Sequence, residues 1–303
     1  MIELFVFDVV LGATIALGAS GLSLIFGTLR FANFAHGELM TWGAYIVLLL
    51  VGTPLDWLGL PTEGFGPFSI GWRVLLATPV AVVAIIALLG DRLVFAPLRK
   101  KRSSGAILAM ASLGLSFILR MVPSIIWGNE QRLFHTGEIR VVFELGLGAK
   151  LRADQLIILT VAGLLATALH LFMRHARMGK AMRAVADDAE MARVAGIDTD
   201  KVIRATWIIG GSLAAVGGIL FAIDVQLNPN LGWNFLIPLF AATILGTIGN
   251  LYGALLGGMV IGIVQQMSTA ILVPSYKPVV AFGVLVLVLL IRPRGLFGGK
   301  AAA

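Results

Sequence analysis

The sequence predicts an all-α, polytopic membrane protein, on three observations. Of its 303 residues, 58% are hydrophobic and 13% charged, whereas a soluble domain carries about 25% charged residues. The apolar residues come in blocks rather than in alternation, and several blocks reach the roughly 20 residues that span a bilayer core as a helix. The basic residues stand at the ends of those blocks, so the net charge of +7 follows membrane boundaries and does not indicate nucleic acid. Cysteine is absent, which excludes disulfides and thiolate metal sites. The opening MIELFVFDVV lacks the basic start of a cleaved signal peptide, so the first block reads as a retained span.

Nine apolar segments follow along the chain, at residues 5–27, 37–52, 73–90, 105–127, 154–173, 205–224, 234–248, 252–273 and 277–291. The seventh and ninth are short, because 14 or 15 helical residues rise about 21–23 Å against a core of roughly 30 Å. Broken or tilted helices are expected there, and the total is about 8–10 membrane segments in one transmembrane domain, residues 1–303. Loops 91–104 and 174–204, the tail 292–303 and Arg30 fall on one side and hold 16 of the 23 basic residues. Residues 53–72, on the other side, hold Asp56 and Glu63 and no basic residue. Basic loops stay cytoplasmic, which predicts an outside N-terminus and a cytoplasmic C-terminus.

Two loops are long enough for structure of their own. The outer one, 128–153, has a β-like centre, EIRVVFEL, flanked by glycine, and predicts a small ordered cap with a hairpin. The inner one, 174–204, favours helix over 178–195. Gly196 sits where a helix ends and Asp198 where the next is capped, near Thr199. This predicts a cytoplasmic helix–turn–helix. Its apolar stripe, Met182, Val185, Ala189, Ala192 and Val194, needs a surface to cover it, either the protein's own membrane domain or another protein. The mixed charges Arg183, Asp187, Asp188, Glu190 and Arg193 favour a specific dock to a partner.

The segment FANFAHGELM, 31–40, interrupts two apolar runs with Asn33, His36 and Glu38. His36-Gly37-Glu38 matches half of a zinc deaminase signature whose other half requires cysteines, and H-E-x-x-H is absent, so no metal site is expected. Asn33 suits a cap, and Glu38 suits the first helical turn, where the dipole stabilises an acid. Irregular backbone at membrane depth is tolerated only against protein or a watery cavity, so the same residues also suit a gate or substrate path. Capping is the reading favoured here. Arg120 lies inside the fourth segment and Asp224 near the outer end of the sixth. Arg120 is expected to snorkel outward. Glycine is abundant, with 36 residues, as expected where helices pack closely in lipid. Gly27-Thr28 and Gly246-Thr247 each follow an out-to-in span, a short hint of an internal repeat. The chain has no G-x-x-x-x-G-K-[ST] motif, so it is not expected to hydrolyse ATP or to act as an enzyme.

Three stretches resemble one family. GLSLIFGTLRFANFAHGELMTWGAY (21–45), GKAMRAVADDAEMARVAGIDTDKVIRATWIIGGSLAAVGG (179–218) and the ending RPRGLFG (292–298) are similar to LivH-type permease subunits of high-affinity branched-chain amino-acid ABC importers. The resemblance runs nearly the whole length. It implies a bacterial inner-membrane importer in which a second homologous permease completes the pore. It further implies two cytoplasmic ATPases, which bind the ATP and dock on loop 174–204, and a periplasmic binding protein that delivers leucine, isoleucine or valine. Arg183, Asp187, Asp188, Ala189, Arg193, Gly196 and Asp198 are then the coupling residues, and Asn33, His36 and Glu38 the helix break and candidate gate, at the cytoplasmic side. Urea and short-amide permeases share these motifs. The rival from another class is a proton-coupled secondary transporter with His36 and Glu38 as relay.

Overall fold

Apolar length dictates the architecture of the computed structural model, which describes residues 2–52, 70–131, 141–145, 149–225, 227–292 and 295–297. Seven helices are long and apolar enough to cross a membrane. The first is α1 (Ile2–Leu29). α3 (Ile70–Gly90) continues through a π-helical turn, Asp91–Phe95, into α4 (Ala96–Lys100). Then come α5 (Gly105–Trp127), α6 (Ala153–His175), α9 (Thr199–Asp224), α11 (Leu251–Ser268) and α12 (Lys277–Ile291). The shorter apolar helices α2 (His36–Gly52) and α10 (Leu231–Leu245) bring the described membrane segments to nine. The seventh predicted segment is indeed a short helix, α10. The ninth is lengthened by a 3-10 turn, Pro274–Tyr276.

Helix α1 lies at the centre, against α9, α10 and α11. It approaches α11 to backbone distance. A side chain at Gly262 would meet Gly12 Cα at 2.2 Å, and one at Gly258 would meet Ala16 Cα at 2.3 Å. Small residues allow this close seam, the main source of cohesion where lipid removes the hydrophobic drive between helices. The peripheral helices are the reverse case: α5 exposes Ile118 and Ile125, and α12 exposes Leu290 and Ile291.

One predicted loop is more regular than expected, and another is as expected. Most of 91–104 is helix, because Asp91 is buried and ion-paired with Arg99 at 2.6 Å, while Phe95 stacks on Trp207 at 5.2 Å. The extra residue of the π-turn aims Phe95 inward. In the outer cap, β1 (Val141–Leu145) pairs antiparallel with β2 (Ala149–Arg152), the hairpin that EIRVVFEL predicted. Residues 132–140 and 146–148 of the cap, all of 53–69, and part of the RPRGLFG ending lie outside the described residues.

The inner loop also departs from its prediction. In place of one helix over 178–195 there are two, α7 (Arg177–Asp187) and α8 (Ala189–Val194). Asp188 breaks them apart by capping α8, its side chain accepting from the amides of Glu190 and Met191. Gly196, at φ +85°, ends α8, and Asp198 caps α9 by accepting from the Lys201 amide at 3.0 Å. The second helix of the helix–turn–helix is thus the membrane helix α9 itself.

Candidate functional site

The polar break and the inner loop form two separate regions. At the break, α1 ends at Leu29 and Arg30 turns the chain with φ +53°. Residues 31–35 then run back into the bundle. Asn33 caps this turn rather than the helix, its side-chain oxygen accepting from the Ala35 amide at 3.2 Å. Ser112 of α5 takes the Phe34 amide at 3.0 Å and lies 3.2 Å from the Ala32 carbonyl. Side chains thus satisfy the Phe34 and Ala35 amides and the Ala32 carbonyl of the irregular stretch.

His36 opens α2 fully buried, with Nε2 donating to the Gly18 carbonyl at 3.0 Å. Gly18 precedes Leu29 by eleven residues, a rise of about 16 Å. His36 therefore lies about 16 Å along α1 from its C-terminal end, deeper in the bundle than the helix-end position expected from sequence. An extended climb over 31–35 has no apolar periodicity to betray its direction.

Glu38, also fully buried, accepts from Ser116 of α5 at 3.3 Å and from Thr41 at 3.4 Å. Thr41 in turn accepts the Gly232 amide of α10 at 2.8 Å. Gly37 and Gly232 touch backbone to backbone: a side chain on Gly232 would fall 2.1 Å from the Gly37 oxygen. Two half-helix starts, those of α2 and α10, thus meet inside the bundle. Arg120, one turn beyond Ser116 on α5, acts on Glu38 electrostatically. Its guanidinium lies 4.9 Å over Phe117 and 4.6 Å over Trp233. Arg120 therefore reaches back along α5 toward the preceding turn, not outward as snorkelling required. The cation–π pair with Trp233, more than 100 residues away, gave no sequence signal.

In the inner loop the apolar stripe is divided. Met182, Val185 and Ala192 are buried against the membrane helices, and Ala189 is half-buried beside them, whereas Val194 is 84% exposed and Met191 66%. The dock expected of the whole stripe is thus mostly internal packing, and α8 carries what remains exposed. Arg183, Asp187, Asp188, Arg193, Gly196 and Asp198 are exposed around it. Arg193 donates to Thr199 Oγ1 at 3.3 Å, and Arg30 donates to the carbonyls of Ala186 and Asp187 at 3.3 and 2.9 Å. The Lys201 amide and ammonium hold the Asp198 carboxyl below its ordinary range. A cavity of about 370 Å³ separates α7 from the inner ends of α1 and α11, lined by Gly27, Thr28, Met182, Arg183, Asp187 and Asn250. At its rim Gly27 meets Gly249, so the two turns of the suspected repeat are neighbours.

No group of three or more His, Asp or Glu among the described residues is arranged to hold a metal ion. Residues 5–289 match the family described as branched-chain amino acid transport system / permease component. The chain is 35% identical over 298 residues to the high-affinity branched-chain amino acid transport system permease protein LivH of Escherichia coli, covering 96% of this chain and 93% of that one. It is 32% identical to the corresponding permease protein BraD of Pseudomonas aeruginosa, covering 95% and 92%. It is 30% identical to a probable branched-chain amino acid transport permease protein LivH of Methanocaldococcus jannaschii, covering 92% and 87%. No solved structure matches.

Proposed function

The chain belongs to the family of branched-chain amino acid transport system permease components, and from that premise we propose that it is the transmembrane permease subunit of an ATP-driven importer of leucine, isoleucine and valine. One observation carries the reading: the identity to permeases named for these amino acids covers 96% of the chain, so it includes both the α2 break and the α7–α8 loop. In this reading the chain sits in an inner membrane with its N-terminus outside and its C-terminus in the cytoplasm. A second homologous permease lies beside it, two ATPases dock on the exposed side of α8, and an external binding protein supplies substrate.

The loop geometry suits force transfer. α8 presents Met191 and Val194 outward, α7 packs Met182 and Val185 against the membrane helices behind it, and Arg30 links the carbonyl end of α7 to the end of α1. A push on α8 therefore reaches the break that carries His36 and Glu38. The second reading is proton-coupled transport, favoured by one observation: His36, Glu38 and Arg120 are ionisable groups placed within membrane helices.

Uptake of labelled leucine, urea and acetamide into proteoliposomes holding the full set of subunits tests both readings. ATP-dependent leucine uptake, absent without the ATPases, is the expected result. Uptake of urea or acetamide alone moves the substrate to the amide permeases. Leucine uptake driven by a pH gradient without ATP overturns the importer.

A further inference from the structure

The geometry points to Arg120, clamped between Phe117 and Trp233, as the group that receives the carboxylate of an α-amino acid on its way through the membrane; this rests on the amino-acid permease reading above. The guanidinium is built into place rather than free. It lies over both rings, whose centroids are 5.9 Å apart, and its Nε is buried with no hydrogen-bond partner. Among the described residues no carboxylate lies within 4.0 Å of it. Glu38, its electrostatic counterpart, has its two oxygens engaged by Ser116 and Thr41. Arg120 thus keeps planar donor capacity that the protein does not consume, and a guanidinium matches a carboxylate in a two-point fork.

Position supports the same assignment. Arg120 is fifteen residues past the start of α5, about 22 Å along it, so it stands well inside the membrane. Phe117 and Trp233 are 44% and 38% exposed, and they open on a face of this chain rather than into its core. A guanidinium facing hydrocarbon is costly, and such residues face a bundle interior or a watery cavity. The α5–α10 face is therefore not lipid-facing at this level. Trp233 is the third residue of α10, so the start of that helix, its positive end, lies beside the guanidinium and adds to the attraction for an anion. The exposed edges of the two rings offer apolar surface to an aliphatic side chain.

A carboxylate and a lipid phosphate share this chemistry, and the test separates them. Met121 is exposed on the same face, and the chain has no cysteine, so M121C in the assembled transporter reports on occupancy by its rate of alkylation. L-leucine at millimolar concentration is expected to slow alkylation several-fold, and leucinol, which lacks the carboxylate, is not. In the R120Q background protection by leucine is expected to vanish, and in R120K to survive in part, with co-purification of the other subunits verifying assembly. Equal protection by leucinol, or unchanged protection in R120Q, overturns the assignment. So does protection that ignores leucine but appears only in phosphatidylglycerol vesicles, which would identify a lipid phosphate. If the parent transporter moves leucine with ATP while any of these holds, only this assignment fails. If it moves no leucine, the permease reading fails and the assignment falls with it.

Discussion

The break before α2 and the break between α7 and α8 perform the same local task by opposite means. Each stops a helix and starts another within a few residues. In the membrane, Asn33, His36 and Glu38 are buried, and the break draws partners from other helices: Ser112 and Ser116 from α5, the Gly18 carbonyl from α1, and the Gly232 amide from α10. In the loop between α6 and α9, the caps are local and exposed, Asp188 bonding two and three residues ahead and Asp198 three ahead. The difference follows from the solvent. Lipid offers no hydrogen bonds, so an irregular turn there must be satisfied by tertiary structure, whereas water competes for every bond an exposed cap makes. The intramembrane break is thus fixed by the whole fold, and the one between α7 and α8 by its own sequence.

That contrast predicts where substitution does most damage. Gly232→Ala places a methyl carbon 2.1 Å from the Gly37 oxygen and 2.4 Å from its carbonyl carbon. Overpacking ordinarily costs about 1–3 kcal/mol, and here backbone blocks the methyl and cannot rotate aside. The assembled complex is expected to be lost from detergent extracts, or its thermal midpoint to fall steeply. A normal yield with an unchanged midpoint would mean that the two half-helices are not locked together.

The next effect is on assembly with the ATPases and leaves the chain's own fold intact. Val194→Glu adds a charge to a fully projecting position of α8, while Ala189→Glu adds one to a half-buried position against the membrane helices. Val194→Glu is expected to reduce ATPase co-purification about tenfold, equivalent to about 1.4 kcal/mol, with an unchanged thermal midpoint. Ala189→Glu is expected to lower the midpoint as well. If Val194→Glu retains the ATPases and normal uptake, α8 is not the docking surface.

How much was legible beforehand follows the same division. Gly196 and Asp198 were identified from sequence because their partners lie within a few residues, and the hairpin over 141–152 was identified because alternation is a local pattern. Ser116, Thr41, Trp233 and the inward set of Arg120 were not, since each acquires its role from a residue at least 78 positions away or from a neighbouring helix whose placement the sequence does not encode locally. The depth of His36 escaped for the same reason. The split of the inner helix at Asp188 was a different kind of miss. The summed propensity of Ala, Met, Arg and Glu outweighed a good capping residue in the middle of the window, and capping is a single-residue signal that an average conceals.

A smaller effect sharpens the local character of the α7–α8 break. Gly196 has φ +85° with nothing within 4 Å of where a side chain would start, so Gly196→Val meets backbone strain alone, about 1–2 kcal/mol. Because the strain is confined to the turn, amide exchange is expected to rise in 189–198 and to stay unchanged in 31–41. Equal acceleration in both segments would show that the two breaks are coupled more tightly than their bonding suggests.

The smallest effect is electrostatic and depends on pH. The Asp198 carboxyl is held below its ordinary value by the Lys201 amide first and the Lys201 ammonium second. A carboxylate whose value is depressed on folding stabilises the fold above its unfolded value, about 3.9, and that contribution is lost as the pH falls through the lowered folded value. The cap is therefore fully formed at neutral pH and fails only below about pH 4. Its side chain is 48% exposed and its ion pair with Lys201, at 3.1 Å, is a surface pair, so solvent screening keeps the contribution small. Protection of the Lys201 amide, corrected for intrinsic exchange, is expected to fall in the parent as the pH drops through the lowered folded value, below about pH 4. Asp198→Asn keeps an oxygen acceptor at the same position but cannot titrate, so its protection is expected to be lower at neutral pH and flat on acidification. If acidification removes protection equally in both proteins, the carboxylate is not what starts α9, and this loop draws on the tertiary structure as the membrane break does.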